Sequence, residues 1–388
     1  MSRHTRQRKA KGRSRVGERF TVEVGPVAHG GHCVARVPTG DGDETRVVFV
    51  RHAIPGERVV LEVTEGTDGD RFWRADAVEV RDASSDRVEA PCPVAGPGLC
   101  GGCDFQHVAI PAQRALKTQV VREQLVRIGK FDAHDPLVTG LEVEAVPGDE
   151  DGLRWRTRVQ YARTADGRRG MHPHRSRDVI PVDDCLIASR DAREIPSAQP
   201  GTPILETVEV GGVEHAYAVE ADGFWQVHPG APRVLVGTVL DLLDPQPGEA
   251  ALDLYAGVGL FTRFLRDRVG PDARVVAVEG DRAAARHART NVPAVVATGS
   301  VDRVLAESYD EPFDLVVLDP PREGAKKKVV DQVVDRAPRA VAYVACDPAA
   351  LARDLALFAE RGYRLTRIRA FDLFPMTHHV ECVALLER

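Results

Sequence analysis

The run Asp253-Leu-Tyr-Ala-Gly257-Val-Gly259-Leu can hold a nucleoside cofactor. It follows an apolar strand and opens a helix, and glycine here lets the backbone come close to a ligand. Glu279 ends the next apolar run, 20 residues after Gly259, where a carboxylate can accept both hydroxyls of a ribose. The third glycine of the dinucleotide fingerprint is missing. No pyrophosphate then needs cradling, so S-adenosylmethionine fits this form better than its rival, nicotinamide dinucleotide. An ordinary strand–turn–helix corner is the plain alternative.

Four more motifs hold residue types that do chemistry. Gln226 lies in Phe224-Trp-Gln226-Val-His228-Pro, ahead of the glycine motif. Asp319 opens Asp319-Pro-Pro-Arg322-Glu-Gly after FDLVVL, and Cys346 stands in Ala345-Cys346-Asp347-Pro348 after AVAYV. Glu381 closes Phe374-Pro-Met-Thr377-His-His379-Val-Glu381 near the C-terminus. In an open α/β sheet, ligands sit at the carboxyl ends of the strands. Asp319 and Cys346 should therefore line the same crevice as Gly257. Singly, each has a plain reading: a turn for Asp319-Pro-Pro, a buried small hydrophobe for Cys346, a solvated strand residue for Glu381.

The chain has seven cysteines: Cys33, Cys92, Cys100, Cys103, Cys185, Cys346 and Cys382. An odd number points to metal or catalysis rather than a disulfide framework. Cys100-Gly-Gly-Cys103 has the C-x2-C spacing of metal ligands, with Cys92 and Cys185 as further thiols. The C-x3-C-x2-C spacing of radical methylation is absent. Cys33 and Cys382 read as structural.

The elements that must position these residues follow from apolar patterning. Residues 1–16 form a basic tail; positions 1–15 hold seven Lys/Arg and no acid. Residues 17–80 contain FTVEV, RVVFV and ERVVLEVTE, punctuated by glycines, and predict five or so short strands in a small β-barrel of the OB type. Residues 81–231 form a central α+β domain that carries the cysteine set. Within it, 111–130 has helical periodicity, with Leu116, Val120, Val121, Leu125 and Ile128 on one face. From 232 to 388, EAALDLYA, ARVVAVEG, FDLVVLD and AVAYVAC alternate with helical stretches. That pattern predicts a Rossmann-like α/β domain with a largely parallel sheet.

The motifs together resemble the RNA 5-methyluridine methyltransferases, over nearly the whole chain. GPVAHGGHCVAR and FVRHAIPGERV resemble the TRAM module that many members carry for RNA binding. The resemblance implies that Cys346 is the nucleophile and Glu381 the general base. It implies that Gln226, Tyr255, Glu279 and Asp319 bind S-adenosylmethionine, with Gln226 and Asp319 also near the target base. It further implies a [4Fe–4S] cluster on Cys92, Cys100, Cys103 and Cys185; zinc is the rival metal. A thiol at a strand end and helix start is expected to have a lowered pKa. The sequence departs from the family at three points: Ala345-Cys346-Asp347-Pro348 replaces Ser-Cys-Asn-Pro, His228 stands where asparagine is usual, and Thr298-Gly-Ser300 lacks an acid or amide beside the adenine.

The net charge of −6 argues against a uniformly basic nucleic-acid coat. Instead, Arg154, Arg156, Arg158, Arg163, Arg168, Arg169, Arg175 and Arg177 form a dense set with Trp155 and Tyr161 among them, a surface suited to looped RNA. Its plain reading is a solvated strand with alternating arginines. Structured RNA is the expected partner, ribosomal RNA ahead of transfer RNA. A non-catalytic iron–sulfur RNA-binding protein and a cytosine-C5 enzyme are the alternatives; the first is opposed by the intact Cys346–Glu381 pair, the second by the lack of a Pro-Cys context. No run of 18 apolar residues and no apolar leader occur, so a soluble, cytoplasmic monomer is expected.

Overall fold

The structure, a computed structural model, describes residues 12–40, 44–196 and 201–388. Residues 1–11 of the basic tail lie outside the described residues. The chain forms two compact units. One comprises Met1–Leu116, Ala162–Cys185 and Met376–His378; the other comprises Lys117–Tyr161, Leu186–Pro375 and His379–Arg388.

In the first unit, strands with alternating apolar residues make one six-stranded sheet. Its order is Arg19–Glu23, Arg58–Glu65, Phe72–Asp82, Thr45–Arg51, His32–Pro38 and Val27–Ala28. Neighbours run antiparallel except Thr45–Arg51 and Phe72–Asp82, which are parallel. Val59, Leu61 and Val63 alternate inward from one strand and Val48 and Val50 from another, around a buried Trp73. The Trp73 indole N–H donates to the Thr67 carbonyl at 2.8 Å, so its polar edge is satisfied. A small sheet of Ala162–Arg163, Arg169–Met171 and Ile180–Pro181 belongs to the same unit.

In the second unit, an eight-stranded sheet has the order Val295–Thr298, Val275–Glu279, Ala251–Leu254, Leu315–Leu318, Ala340–Ala345, Glu381–Glu387, Arg364–Phe371 and Val143–Glu144. The first five strands are parallel, as the apolar runs predict. Leu252, Val316 and Val341 pack on one face, and Ala251, Leu315 and Ala340 on the other. Helices cover both faces, so Leu315–Leu318 and Ala340–Ala345 are apolar and buried at every position rather than alternately. Glu381–Glu387 inserts antiparallel between Ala340–Ala345 and Arg364–Phe371. That insertion decides where Glu381 ends up.

The predicted helix at 111–130 is found at Ile110–Arg127. Leu116, Val120, Val121 and Leu125 are buried as expected, but so are Gln113, Lys117, Thr118 and Gln124. Lys117 Nζ lies 2.5 Å from Asp372 Oδ1 and donates to the Phe374 carbonyl at 3.0 Å, so its buried charge is paired.

Candidate active site

The turn after strand Ala251–Leu254 has three residues with positive φ: Tyr255 at 65°, Gly257 at 56° and Gly259 at 92°. A β-carbon at Gly259 would fall 2.7 Å from Val292, while the space beside Gly257 is open. Tyr255 has no such freedom, and a non-glycine residue held there costs about 1–3 kcal/mol. Glu279 ties the turn to the next strand end. Its carboxylate accepts from Gly257 N at 2.7 Å and Asp281 N at 2.6 Å.

Three acids gather here without a neutralising cation among the described residues. Asp253 is fully buried, and burial first, then Glu279, pushes it up to about 7 against a hydrogen bond from the Thr262 hydroxyl. Its Oδ1 is buried with no hydrogen-bond partner. Asp319, just past Leu318, is likewise pushed up to about 7, by burial first and then by Asp253 and Glu279. Such a site repels a pyrophosphate and suits a cofactor that carries sulfonium and ammonium charges. The residues present therefore fit S-adenosylmethionine better than a dinucleotide.

Cys346 follows the neighbouring strand. Ala345 pairs with Cys382 in the antiparallel register, so one further step brings Cys346 opposite Glu381. Asp347 caps the next helix, Pro348–Ala359, by accepting from Ala350 N at 2.8 Å. An asparagine or an aspartate does this equally well, which accounts for one departure from the family motif. The charge matters more. Burial pushes the Cys346 thiol up to about 12, and Glu381, Asp319 and Asp347 add to this; Arg322 alone opposes them. The lowered thiol pKa expected from the helix start is thus reversed, because burial among acids outweighs the helix end. Burial, then Asp319, also raises Glu381 well above the usual carboxylate range, again against Arg322. Arg322, read only as part of its motif, is a cation that acts on both Cys346 and Glu381.

Gln226 lies partly buried on the loop 221–230, and among the described residues no hydrogen bond ties it to the strand-end group. Thr157 holds that loop: its N–H and its hydroxyl both donate to the Val227 carbonyl, at 2.8 and 3.0 Å. His228 is buried and stacks on Trp155 with ring centroids 5.9 Å apart. Its Nδ1 accepts from Gly230 N at 3.0 Å, so Nε2 carries the proton and faces Asp149 Oδ2 at 3.3 Å. The histidine in place of asparagine therefore braces the loop. Phe224, by contrast, is 66% exposed, a large apolar ring in solvent beside the buried Trp225. Edge-to-face contacts continue from Trp155 to Phe374 and from Phe374 to His379, whose Nε2 lies 3.3 Å from Arg322 Nη2.

The eight arginines split into two groups. Arg154, Arg156 and Arg158 are partly buried and donate to the carbonyls of Ala188, Arg158 and Gly223. Trp155 is 3% exposed and has no face to offer a base. These four correct the sequence expectation of an open Arg–aromatic face at 154–158. Arg163, Arg168, Arg169, Arg175 and Arg177 are exposed, with Arg168 paired to Asp166 and Arg175 to Glu65.

The four thiols Cys92, Cys100, Cys103 and Cys185 form no disulfide, are partly exposed, and all belong to the first unit. They sense one another. Cys100 is raised by burial and then by Cys185 and Cys92; Cys103 is pushed up to about 12 by burial and then by Cys185 and Cys100. Gly102 N donates to Cys100 Sγ and Gln106 Nε2 to Cys103 Sγ, each at 3.4 Å, bonds that would stabilise thiolates. Among the described residues, no three His, Cys, Asp or Glu side chains converge on a point that would hold one metal ion. Cys33 is buried and donates to the Ala53 carbonyl at 3.3 Å, and Cys382 is fully buried.

Comparison with known proteins agrees with this layout. Residues 13–78 match the family profile of the TRAM domain, 233–343 the methyltransferase small domain and 301–388 tRNA (Uracil-5-)-methyltransferase. An uncharacterized RNA methyltransferase of Streptomyces avermitilis is 46% identical over 435 residues, covering 96% of this chain and 99% of its own. Another from Streptomyces coelicolor is 46% identical over 437 residues, covering 96% and 94%. The solved structure of the Pyrococcus abyssi tRNA (uracil-54, C5)-methyltransferase with S-adenosyl-L-homocysteine has the same fold, with a TM-score of 0.64 at 22% identity, covering 94% of this chain and 99% of that one. With an N-terminal TRAM domain, an acid-lined glycine turn and relatives that match end to end, the chain belongs to the S-adenosylmethionine-dependent RNA methyltransferases of the 5-methyluridine family.

Proposed function

We propose that this chain methylates C5 of a uracil in structured RNA through a covalent bond between Cys346 and C6. The observation that carries the reading is the register that sets Cys346 opposite Glu381, with Asp319 and Arg322 as shared electrostatic neighbours. Gln226, Tyr255, Gly257, Gly259, Glu279 and Asp319 are the proposed cofactor-binding residues.

Uracil C5 is a poor nucleophile. Cys346 gives up its proton to solvent and adds through sulfur to C6, and the C5=C6 electrons move onto the O4 enolate. When bound, S-adenosylmethionine supplies an electrophilic methyl group and a positive charge. Once C5 has taken the methyl group, with the donor's sulfur–methyl electron pair left on sulfur as a neutral thioether, Glu381 takes the C5 proton. Those electrons re-form C5=C6 and expel the Cys346 thiolate. Arg322 keeps part of the thiol and carboxylate population ionised against burial. Phe224 offers a stacking face to a base drawn out of its stack.

The four-cysteine set is proposed to hold a [4Fe–4S] cluster. Support comes from the charge interaction of Cys100 with Cys92 and Cys185, that of Cys103 with Cys100 and Cys185, and the two N–H···S bonds; a cubane spreads its ligands more widely than a single zinc ion does. No redox step is needed for methyl transfer, so the proposed role is structural.

Ribosomal RNA is favoured by the pairing of the TRAM module with four cysteines, whereas the matched profile and the solved neighbour carry tRNA names. Nucleoside analysis of rRNA and tRNA after incubation with protein and S-adenosylmethionine tests the reading. 5-Methyluridine in one RNA class, lost with Cys346→Ala, is the expected outcome; methyl groups on cytosine, or none, would refute it.

A further inference from the structure

Arg322 is exposed, and a long side chain in solvent samples many rotamers unless a partner fixes it. The hydrogen bond it makes runs to an imidazole rather than to a carboxylate: Arg322 Nη2 lies 3.3 Å from His379 Nε2. A guanidinium only donates. His379 Nε2 is therefore the acceptor, which puts the ring proton on Nδ1 and leaves the imidazole neutral. A protonated ring would lose this bond and repel Arg322.

His379 is itself held. Its ring meets Phe374 edge-to-face, with centroids 5.9 Å apart at 76°, and Phe374 meets the buried Trp155 in the same way at 6.0 Å and 80°. The Phe374 carbonyl accepts from Lys117 Nζ at 3.0 Å, and Lys117 is locked to Asp372 in a buried ion pair. A ring seated this way gives up little freedom when it accepts from Arg322. His379, Phe374, Trp155, Lys117 and Arg322 all belong to the second unit, with Cys346 and Glu381. His379 stands two positions before Glu381, which opens strand Glu381–Glu387, and Arg322 three after Asp319, which follows strand Leu315–Leu318. The methyl-transfer scheme uses Arg322 and leaves His379 without a role.

We infer that His379 is a positioning residue for Arg322: its ring nitrogen holds the guanidinium where it acts on Cys346 and Glu381. The inference rests on the covalent reading above. Arg322 favours the charged form of both groups, against Glu381, Asp319 and Asp347 at the thiol and against Asp319 at the Glu381 carboxyl. Released from His379, the guanidinium spreads its charge over many positions in water, where it does less for a thiolate. Sulfur addition then slows while cofactor and RNA still bind.

The test uses the full chain, saturating S-adenosylmethionine and transcripts of rRNA and tRNA carrying 5-fluorouridine, and follows the rate at which a denaturation-stable adduct forms. This RNA stops the reaction before proton removal, so the rate reads sulfur addition and methyl transfer alone. His379→Phe keeps an aromatic ring against Phe374 and deletes the acceptor; His379→Gln keeps an acceptor oxygen and deletes the ring. His379→Phe should form adduct about ten-fold more slowly than wild type, with its affinities for RNA and S-adenosylmethionine those of wild type. His379→Gln should recover most of the lost rate. In an Arg322→Ala background, His379→Phe should slow the reaction no further, since the two side chains act through one bond. His379→Leu also lacks the acceptor and replaces His379→Phe if that variant does not fold. The inference is overturned alone if wild type forms adduct and the acceptor-free variant matches it, if His379→Gln is as slow as His379→Phe, or if the losses at 322 and 379 add in full. A wild type that forms no adduct ends the covalent reading and the inference with it.

Discussion

Cys346 illustrates what local sequence can and cannot tell. Its place at a strand end was legible, because strands buried on both faces write unbroken apolar runs such as AVAYV and LVVL. Its ionisation was not legible, because that depends on Glu381 and Asp319, brought in by tertiary pairing. A thiol pushed up to about 12 is protonated at neutral pH, and its thiolate fraction grows about tenfold per pH unit below the pKa. The rate of adduct formation at saturating RNA should therefore climb steadily from about pH 6 to 9, and shift to lower pH when the cationic donor is bound. A rate already level above about pH 6 would mean a thiol with lowered pKa instead. Asp319 has a stability signature of opposite sense to a salt-bridged acid. Its pKa rises from 3.8 to about 7 on folding, so it costs nothing below 3.8 and its full penalty above 7. Asp319→Asn should raise the melting temperature of the unliganded protein at pH 8 and leave it unchanged at pH 4, at roughly 1.4 kcal/mol per unit of displacement removed. Melting curves at the two pH values check this.

At the scale of elements, the glycine turn, Glu279 and the helix at Ile110–Arg127 stood in the sequence as periodicity and spacing. The antiparallel insertion of Glu381–Glu387 did not, since a short apolar strand carries no mark of its direction or neighbours. The arginine stretch misled for a related reason. Charge density at 154–158 looks like an RNA surface, yet those guanidinium groups are spent on backbone carbonyls around a buried Trp155. The two arginine groups should behave differently. Arg169→Ala and Arg177→Ala should each weaken RNA binding and lower the salt dependence of log K by about one. Arg158→Ala should lower the melting temperature without changing that slope. Binding titrations across a salt series separate the two.

At the scale of the whole molecule, the chain keeps two sets of thiols apart by unit, with Cys92, Cys100, Cys103 and Cys185 in one and Cys346 in the other. The C-x2-C spacing was legible; the hydrogen bond at 2.6 Å between His378 Nδ1 and Asp104 Oδ2 was not, because it joins residues 274 apart in sequence. Protein purified without oxygen should be brown, with broad absorbance near 400 nm that vanishes when Cys100 and Cys103 are replaced by serine. A colourless protein containing zinc would overturn the cluster. Melting temperature should fall with the lost colour, because a bound cofactor stabilises the folded state.

The central claim is that Cys346 bonds to C6 of a uracil. RNA carrying 5-fluorouridine tests it most directly, since Glu381 cannot remove fluorine as it removes a proton. With S-adenosylmethionine present, wild-type protein should form a denaturation-stable adduct with this RNA, and Cys346→Ala should form none. A wild type that forms no adduct, or an adduct that survives Cys346→Ala, would contradict the account.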